Sequence, residues 1–250
     1  MTTISIAMIA HNEELNVPRA LRSCLWADEI VFVDCGSTDG TAAAARAFPV
    51  KYFSRPNSTA VYVNKQFALE QTSSDWIFIL DADEEVPANL AAELRDAVAA
   101  PGAPAAFKIP RRNHYYGRWL RFGGKYPDSQ LRLFRRGSAR YLPLPVHERL
   151  EVDGRVARLS RPFDHYPCVS PEYFERKREF YGKMLAESYA LKRKNRVLIL
   201  LRPFTLFVSN FLMKLGFLDG VAGVRTAVMD FRNVMTAAMV YFRKGRGRQF

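Results

Sequence analysis

A chain of 250 residues, 48% of them hydrophobic, can bury a full core, and its length favours one main domain with an appendage over two independent domains. The net charge of +12 is uneven: residues 1–100 carry −7, residues 101–171 carry +9 and residues 172–250 carry +10, so a polyanionic or membrane-surface partner is expected for the second part and not the first. The three cysteines, Cys24, Cys35 and Cys168, include no Cys-x-x-Cys pair, which speaks against a disulfide framework or a zinc ribbon and fits a reducing cytoplasm.

Met1-Thr2-Thr3 runs directly into an apolar stretch with neither a positively charged start nor a small-residue cleavage site, so no signal peptide is expected. Ile4 to Ala10 reads as the first strand. It ends at His11-Asn12-Glu13-Glu14, and Leu15, Arg19, Leu21, Cys24 and Leu25 then follow a helical spacing, with Pro18 acceptable in the first turn. Glu29 to Asp34 reads as a second strand, and Ser37 or Thr38 is placed to cap a helix through Thr41 to Arg46. Val50 to Phe53 makes a short third strand and Val61 to Gln71 a helix. Trp76 to Leu80 is a continuous apolar run of the kind buried on both faces of a parallel sheet, and it stops on Asp81-Ala-Asp-Glu-Glu85. Strands alternating with helices predict an α/β unit, and three of these strands end in polar or acidic residues at the edge where such sheets bind ligands.

A helix over Asn89 to Ala99 closes the pattern, and Pro101-Gly-Ala-Pro104 turns the chain into a different texture. Phe107 to Pro110, Gln130 to Phe134 and Val146 to Val152 read as short strands of a mixed region, and Gly117 to Pro127 as a mobile loop beside the site. Phe174, Tyr181, Leu185 and Ser188 share one face of a charged helix. Val197 to Phe217 is strongly apolar, but Arg202-Pro203 and Lys214 interrupt it, which argues for an interfacial or re-entrant helix over a simple span. Apolar residues at 228, 231, 235, 238 and 242 mark an amphipathic helix, and Arg243 to Arg248 form a basic cluster suited to anionic headgroups. The expected organisation is one domain over 1–170, divided into 1–100 and 101–170, and a basic amphipathic helical extension over 171–250.

Asp81 and Asp83, one residue apart at a strand end, can hold Mg²⁺ or Mn²⁺ beside a diphosphate, because such ions prefer oxygen ligands and keep positions for phosphate oxygens. Solvated acids before Pro87 are the plainer alternative, with Glu84 and Glu85 serving only the next helix N-terminus. Asp34 can accept a hydrogen bond from a nucleobase N–H, or belong to a simple capping turn. His11 can stack on a base, with Glu13 beside it in the nucleotide-facing set, or be an ordinary surface histidine. His114, His147 and His165 lack zinc-ligand spacing.

Ser5-Ile-Ala-Met-Ile-Ala-His-Asn-Glu-Glu14, Val33-Asp-Cys-Gly-Ser-Thr-Asp-Gly-Thr41 and Leu80-Asp-Ala-Asp-Glu-Glu85, in this order and strand context, resemble the family 2 glycosyltransferases. Gln130 to Arg136, Val146-His-Glu148 and Gly216-Phe-Leu-Asp-Gly220 look like the branch that builds the lipopolysaccharide core in Gram-negative bacteria. The resemblance implies a GT-A fold: an α/β, nucleotide-binding mixed sheet flanked by helices, here with a C-terminal helical membrane-associating extension. It implies inverting transfer from a nucleotide sugar, often UDP-glucose, to a lipid-linked glycan at the inner face of the cytoplasmic membrane. Asp34 would recognise the base, and Asp81 and Asp83 the divalent cation and diphosphate. His11 stands where the family commonly has an aromatic residue, and Cys35 where it has a second aspartate.

Family members often place Glu-Asp after a Leu-Phe-Arg-Arg-like strand; His147-Glu148 occupies the corresponding region, so Glu148 is the expected catalytic base and Asp128 the reserve. A surface carboxylate paired with Arg149 or Arg132 is the plainer reading of Glu148. Arg132, Arg135 and Arg136 can grip diphosphate or acceptor phosphates, or simply line a solvated face. A polyprenyl phosphate or a capsular glycan is the alternative acceptor. A basic module with an inert α/β half is the remote alternative, and no RNA-binding motif or recognition helix supports nucleic acid.

Overall fold

A computed structural model describes residues 1–58, 60–142, 149–167, 171–191 and 195–244. They fall into two compact units, Met1–Arg111 with Ser129–His165, and Arg112–Asp128 with Tyr166–Phe250. Residues 112–128, expected in the first domain, thus group with the C-terminal helices.

In chain order the first unit runs β1 (Ile4–Ala10), α1 (Val17–Arg22), β2 (Glu29–Asp34), α2 (Thr41–Arg46), β3 (Lys51–Ser54), α3 (Val61–Glu70), β4 (Trp76–Ile79), β5 (Glu84–Glu85), α4 (Ala88–Ala99) and β6 (Ala106–Ile109). Two short strands follow, β7 (Arg111–Tyr115) and β8 (Arg118–Trp119). The chain returns through β9 (Gln130–Arg135), β10 (Ala139–Leu142), β11 (Arg149–Val152), β12 (Val156–Arg158) and β13 (Phe163–His165). The tail holds α5 (Pro171–Leu191), α6 (Arg196–Phe207), a π-helical segment Val208–Met213, a 3₁₀ turn Gly216–Asp219 and α7 (Gly220–Lys244).

Seven strands in the order β12-β6-β9-β4-β1-β2-β3 make one mixed sheet. β1 lies parallel between β2 and β4, β3 is parallel to β2, and β9 is antiparallel to both β4 and β6. The chain steps outward from β1 to β3 and then returns to the other side of β1 as β4. Strand order therefore reverses between β1 and β4, and the crevice beyond their carboxyl ends is where open α/β sheets take ligands.

Side chains alternate across this sheet with the period of two that strands impose. Ile4, Ile6, Met8, Phe32, Trp76 and Phe78 pack on one face against Val17, Leu21, Leu90 and Leu94 of α1 and α4. Ala7, Val31, Val33, Ile77 and Ile79 pack on the other against Ala68 and Leu69 of α3. Two covered faces explain the unbroken apolar runs, and each large side chain so buried is worth about 1.5–3 kcal/mol.

Two local expectations are corrected. Leu15 and Leu25 are exposed and lie outside α1, which Pro18 opens and Ser23 closes, its hydroxyl donating to Ala20 O. Neither Ser37 nor Thr38 caps α2; Gly40 is its N-cap residue, Glu14 Oε2 accepts the Gly40 N–H and Asp39 Oδ1 the Thr41 N–H.

In the second unit, the loop expected to be mobile is strapped to the unit's own helices. Buried Asp219 accepts the N–H groups of Arg121 at 3.1 Å and Phe122 at 2.9 Å, Gly123 N–H reaches Lys214 O at 2.8 Å, and Lys125 pairs with Asp230 at 2.7 Å. The Gly216-to-Gly220 motif forms the clasp. A Cβ on Gly216 would stand 2.6 Å from Asn210 O, and Gly220 has φ +64°. α7 buries a stripe of small residues, Ala222, Ala227, Ala237 and Ala238, together with Val234. Of the expected stripe, Ala238 is buried, Phe231, Met235 and Phe242 are partly buried, and Val228 alone of the five is exposed.

Candidate active site

At the carboxyl ends of β1 and β2, the two glycine- and acid-rich motifs lace together. Asn12, at φ +56°, donates its N–H to Ser37 Oγ and accepts the Thr38 N–H on Oδ1. Glu13 N–H donates to Thr41 Oγ1 at 2.7 Å, and Glu13 Oε2 accepts from Asn16 Nδ2. Most polar side chains of these motifs thus build the loop itself. His11 remains exposed, its Nδ1 2.9 Å from Cys35 O.

Asp34 ends β2 nearly buried, with Oδ1 accepting the Ser37 N–H at 3.1 Å and Oδ2 the Tyr52 hydroxyl at 3.0 Å. A carboxylate offers about four lone-pair directions, so capacity remains for a base N–H. Burial pushes the Tyr52 hydroxyl pKa up, and the bond to Asp34 adds to this. Cys35 is buried where its Sγ accepts from Asn64 Nδ2 at 3.3 Å, and burial likewise raises its thiol pKa. Asn64 is held in turn by Arg55 Nε at 3.0 Å.

The strand end after β4 is more elaborate than a pair of acids. Arg132, projecting from β9, donates through one nitrogen to Asp81 Oδ2 at 2.8 Å and to Glu84 Oε1 at 2.5 Å. Lys65 of α3 stands 3.3 Å from Asp81 Oδ1, and Glu84 Oε2 accepts the Asp81 N–H at 2.9 Å. Glu84 is 0% exposed, with Arg111 3.4 Å away as a second cation. Burial opposes ionisation of Asp81, but Lys65 and Arg132 outweigh it and hold the carboxyl well below the usual range. Burial dominates at Glu84 and raises its pKa despite Arg132. Arg132 is itself held charged by Glu84 and Asp81 against the cost of burial.

β5 pairs antiparallel with β13, setting His165 opposite Glu84. His165 Nε2 then lies 3.5 Å from Asp83 Oδ2, both side chains partly exposed. Among the described residues no group of three or more His, Cys, Asp or Glu could hold a metal ion. Asp83 with His165 nonetheless offers one oxygen and one nitrogen donor in an accessible place, which fits an ion that takes its remaining ligands from phosphate and water. The oxygens of Asp81 already face two cations, so Asp83 is the better placed of the two acids for a metal.

Several expectations change accordingly. Glu84 does not serve a helix N-terminus; it anchors Arg132. Arg132 does not reach outward for phosphate, because it is buried against two carboxylates. Arg135 pairs across the sheet with Trp76, at the amino end of β4 and away from Asp81, with its guanidinium 4.7 Å over the Trp76 ring. Asp128 belongs to the second unit, where Asn113 Nδ2 donates to it at 3.2 Å. Glu148 lies outside the described residues. Lys65, Arg111 and His165 were not singled out from sequence as site residues; only strand pairing brings His165 to Asp83, and no spacing signal announces it.

A strand-order reversal beside an acidic strand end places the fold in the class of open α/β domains that bind ligands beyond the carboxyl ends of their strands. The chain belongs to glycosyltransferase family 2, whose profile, Glycosyl transferase family 2, matches residues 5–149. It is a glycosyltransferase with the GT-A fold. It is 31% identical to the lipopolysaccharide core biosynthesis glycosyltransferase LpsC of Rhizobium meliloti (strain 1021), covering 96% of this chain and 92% of that protein. An uncharacterized glycosyltransferase of Rickettsia conorii, RC0292, is 27% identical over 88% of this chain and 83% of its own length. Among solved structures, the mannosyltransferase PcManGT of Pyrobaculum calidifontis, in complex with GDP-Man and Mn²⁺, superposes with a TM-score of 0.57 at 18% identity, covering 96% of this chain and 87% of that one. S. aureus TarS 1-349 with UDP-GlcNAc gives 0.53 at 14% identity, covering 100% and 94%.

Proposed function

We propose that the protein is a metal-dependent inverting glycosyltransferase that moves a sugar, glucose from UDP-glucose, onto a lipid-linked acceptor, the lipopolysaccharide core, at the inner face of the cytoplasmic membrane. The observation that carries the reading is the paired arrangement at the β4 end: Asp81 fixed in its ionised form by Lys65 and Arg132, and Asp83 set beside His165. The acceptor class is supported by the similarity to LpsC along nearly the whole of both chains.

In this reading Asp34 accepts a base N–H, His11 and Glu13 border the nucleotide, and Asp81 accepts hydrogen bonds from it. Asp83 and His165 hold Mg²⁺ or Mn²⁺, which when bound neutralises charge on the departing diphosphate. Glu148 takes the proton from the acceptor hydroxyl as its oxygen bonds the anomeric carbon and the bond to the diphosphate oxygen breaks, with nucleoside diphosphate leaving.

Transfer assays with UDP-sugars and a lipid A core acceptor, run beside a thermal-shift screen, test this. Ligand binding to the folded state should raise the melting temperature with UDP-glucose and Mn²⁺ together, and Asp83→Asn should remove both that rise and the transfer while leaving unligated stability within about 0.5 kcal/mol. Full transfer in excess chelator, or by Asp83→Asn, would overturn the metal assignment. Preference for polyprenyl phosphate over the core acceptor would overturn the acceptor.

A further inference from the structure

The second unit exposes apolar surface that its own packing does not account for. Residues Arg196–Met213 form an 18-residue stretch of mean hydropathy 1.5, yet only 11% of it is buried. A core helix of that composition would be mostly covered. α6 turns Ile199 and Pro203 inward, and on the opposite side Val197, Leu198, Leu200, Leu201, Phe204 and Val208 are all exposed. At 100° per residue these six fill an arc of about 160° that contains no charged residue. Arg196 and Arg202 stand at its two margins, and the π-helical segment extends the surface through Leu212 and Met213.

The same stretch has roughly the length of a membrane span, about 27 Å against about 30 Å of hydrocarbon. Its packing decides against spanning. Phe204, at its midpoint, contacts the Phe231 ring of α7 with centroids 5.2 Å apart. Phe231 sits between Asp230 and exposed Arg232, and Asp230 is tied to Lys125. Placing Phe204 at the bilayer centre would carry this charged group of the same unit into hydrocarbon, where charges are costly. A helix lying in the plane of the interface immerses its apolar arc only shallowly, which leaves Asp230 and Arg232 out of the hydrocarbon.

Charge complementarity names the surface. Residues 195–244 contain seven Lys or Arg and two acids, Asp219 and Asp230. Both acids are already engaged within the unit. Exposed Arg196 and Arg202 border the apolar centre, and the segment as a whole is rich in basic residues, the match for an anionic bilayer.

We infer that α6 and the following π-helical segment form a monotopic insertion face, lying in the plane of an anionic lipid surface with Leu198, Leu201, Phe204 and Leu212 at a common shallow depth. The inference rests on the proposed function only for which membrane carries the acceptor.

Vesicle co-sedimentation of the full chain reads it without donor or acceptor, so it can fail while the transfer assay succeeds, and the reverse. With vesicles of 3:1 phosphatidylcholine and phosphatidylglycerol, wild type should bind, binding should fall several-fold in 0.5 M NaCl, and Leu201→Glu/Phe204→Glu should lower it at least tenfold. Because Phe204 also touches the Phe231 ring, Leu198→Glu/Leu201→Glu, which leaves that contact intact, is the companion variant; it should lower binding likewise while keeping the near-UV circular dichroism and melting temperature of wild type. In a Cys168→Ser background, a polarity-sensitive fluorophore at Leu198→Cys, Phe204→Cys or Leu212→Cys should be quenched alike by shallow lipid-borne nitroxides and weakly by deep ones. Binding by either double variant equal to wild type, no binding by wild type, or deepest quenching at Phe204→Cys alone would each overturn the inference. So would a stable dimer abolished by either double substitution in a protein that ignores vesicles.

Discussion

Arg132→Met tests whether the buried charge cluster is what holds the acidic strand end in place. The guanidinium satisfies Glu84, a carboxylate with no solvent exposure, and one oxygen of Asp81. Breaking a buried pair by deleting one partner costs about 3–5 kcal/mol, chiefly because a charge is left unmatched. Glu84 would keep the Asp81 N–H at 2.9 Å and Arg111 at 3.4 Å, which places the expected loss near the lower end. About 3 kcal/mol in a chain of this size lowers the melting temperature by roughly 6–12 °C. Adding Glu84→Gln removes the stranded charge while leaving an amide oxygen for the Asp81 N–H, so the double variant should be more stable than Arg132→Met alone. Urea unfolding of the four proteins of the cycle measures the coupling, expected at about 1–3 kcal/mol. A loss below about 1 kcal/mol, or strictly additive effects, would show that the cluster is a solvated surface group and not a buried anchor.

Glu84 and Asp81 also set opposite pH dependences. The folded pKa of Glu84 lies above its ordinary value, so the folded state holds more protons and stability falls as pH rises from about 4.3 through the folded value. Asp81 is shifted down, so its contribution is complete above about pH 4 and is lost only as pH falls further. Urea midpoints followed upward from pH 4 should therefore decline less in Glu84→Gln than in wild type, and an identical decline would remove Glu84 from the account. Tyr52→Phe deletes one donor to Asp34 and should cost about 1 kcal/mol in unfolding while weakening nucleoside-dependent thermal stabilisation, because Asp34 is then less firmly oriented. Glu148→Gln should lower kcat by about 10²–10⁴ with the donor KM little changed; a kcat within threefold of wild type would shift the base to Asp128 or another carboxylate.

The parts of this fold that depend on local pattern were legible in sequence. Largely apolar runs within Ile4 to Ala10, Glu29 to Asp34 and Trp76 to Leu80 form adjacent parallel strands, because residues buried on both faces leave little polar alternation to misread. The acids at the strand ends were legible for the same reason: an apolar strand that stops on Asp81 must release that residue at the sheet edge. What sequence did not reveal depends on contacts distant along the chain. Arg132 lies 51 residues from Asp81, and a charged residue in a run of arginines reads as surface until the sheet order puts β9 against β4. His165 reaches Asp83 only because β13 pairs with β5. Of the small residues that α7 packs, only Ala238 falls on the stripe read from sequence, because hydrophobic size, and not closeness of approach, guides an amphipathic reading.

The same distinction separates the roles of the motif residues. Identity at Asn12, Glu14, Ser37, Asp39 and Thr41 is explained by hydrogen bonds that close one loop upon another, so substitutions there act first on the shape of the nucleotide-facing edge. Asp83 is different. It lies beside a histidine delivered by another strand, whereas the loop around the β4 end is fixed by Glu84 and Arg132. Asp83 is thus less engaged by the fold than Asp81 or Glu84 and keeps more capacity for a ligand than either. That division, a buried acid and arginine that build the edge and a partly exposed acid and histidine that face outward, is why loss of Arg132 should be read in stability and loss of Asp83 in chemistry.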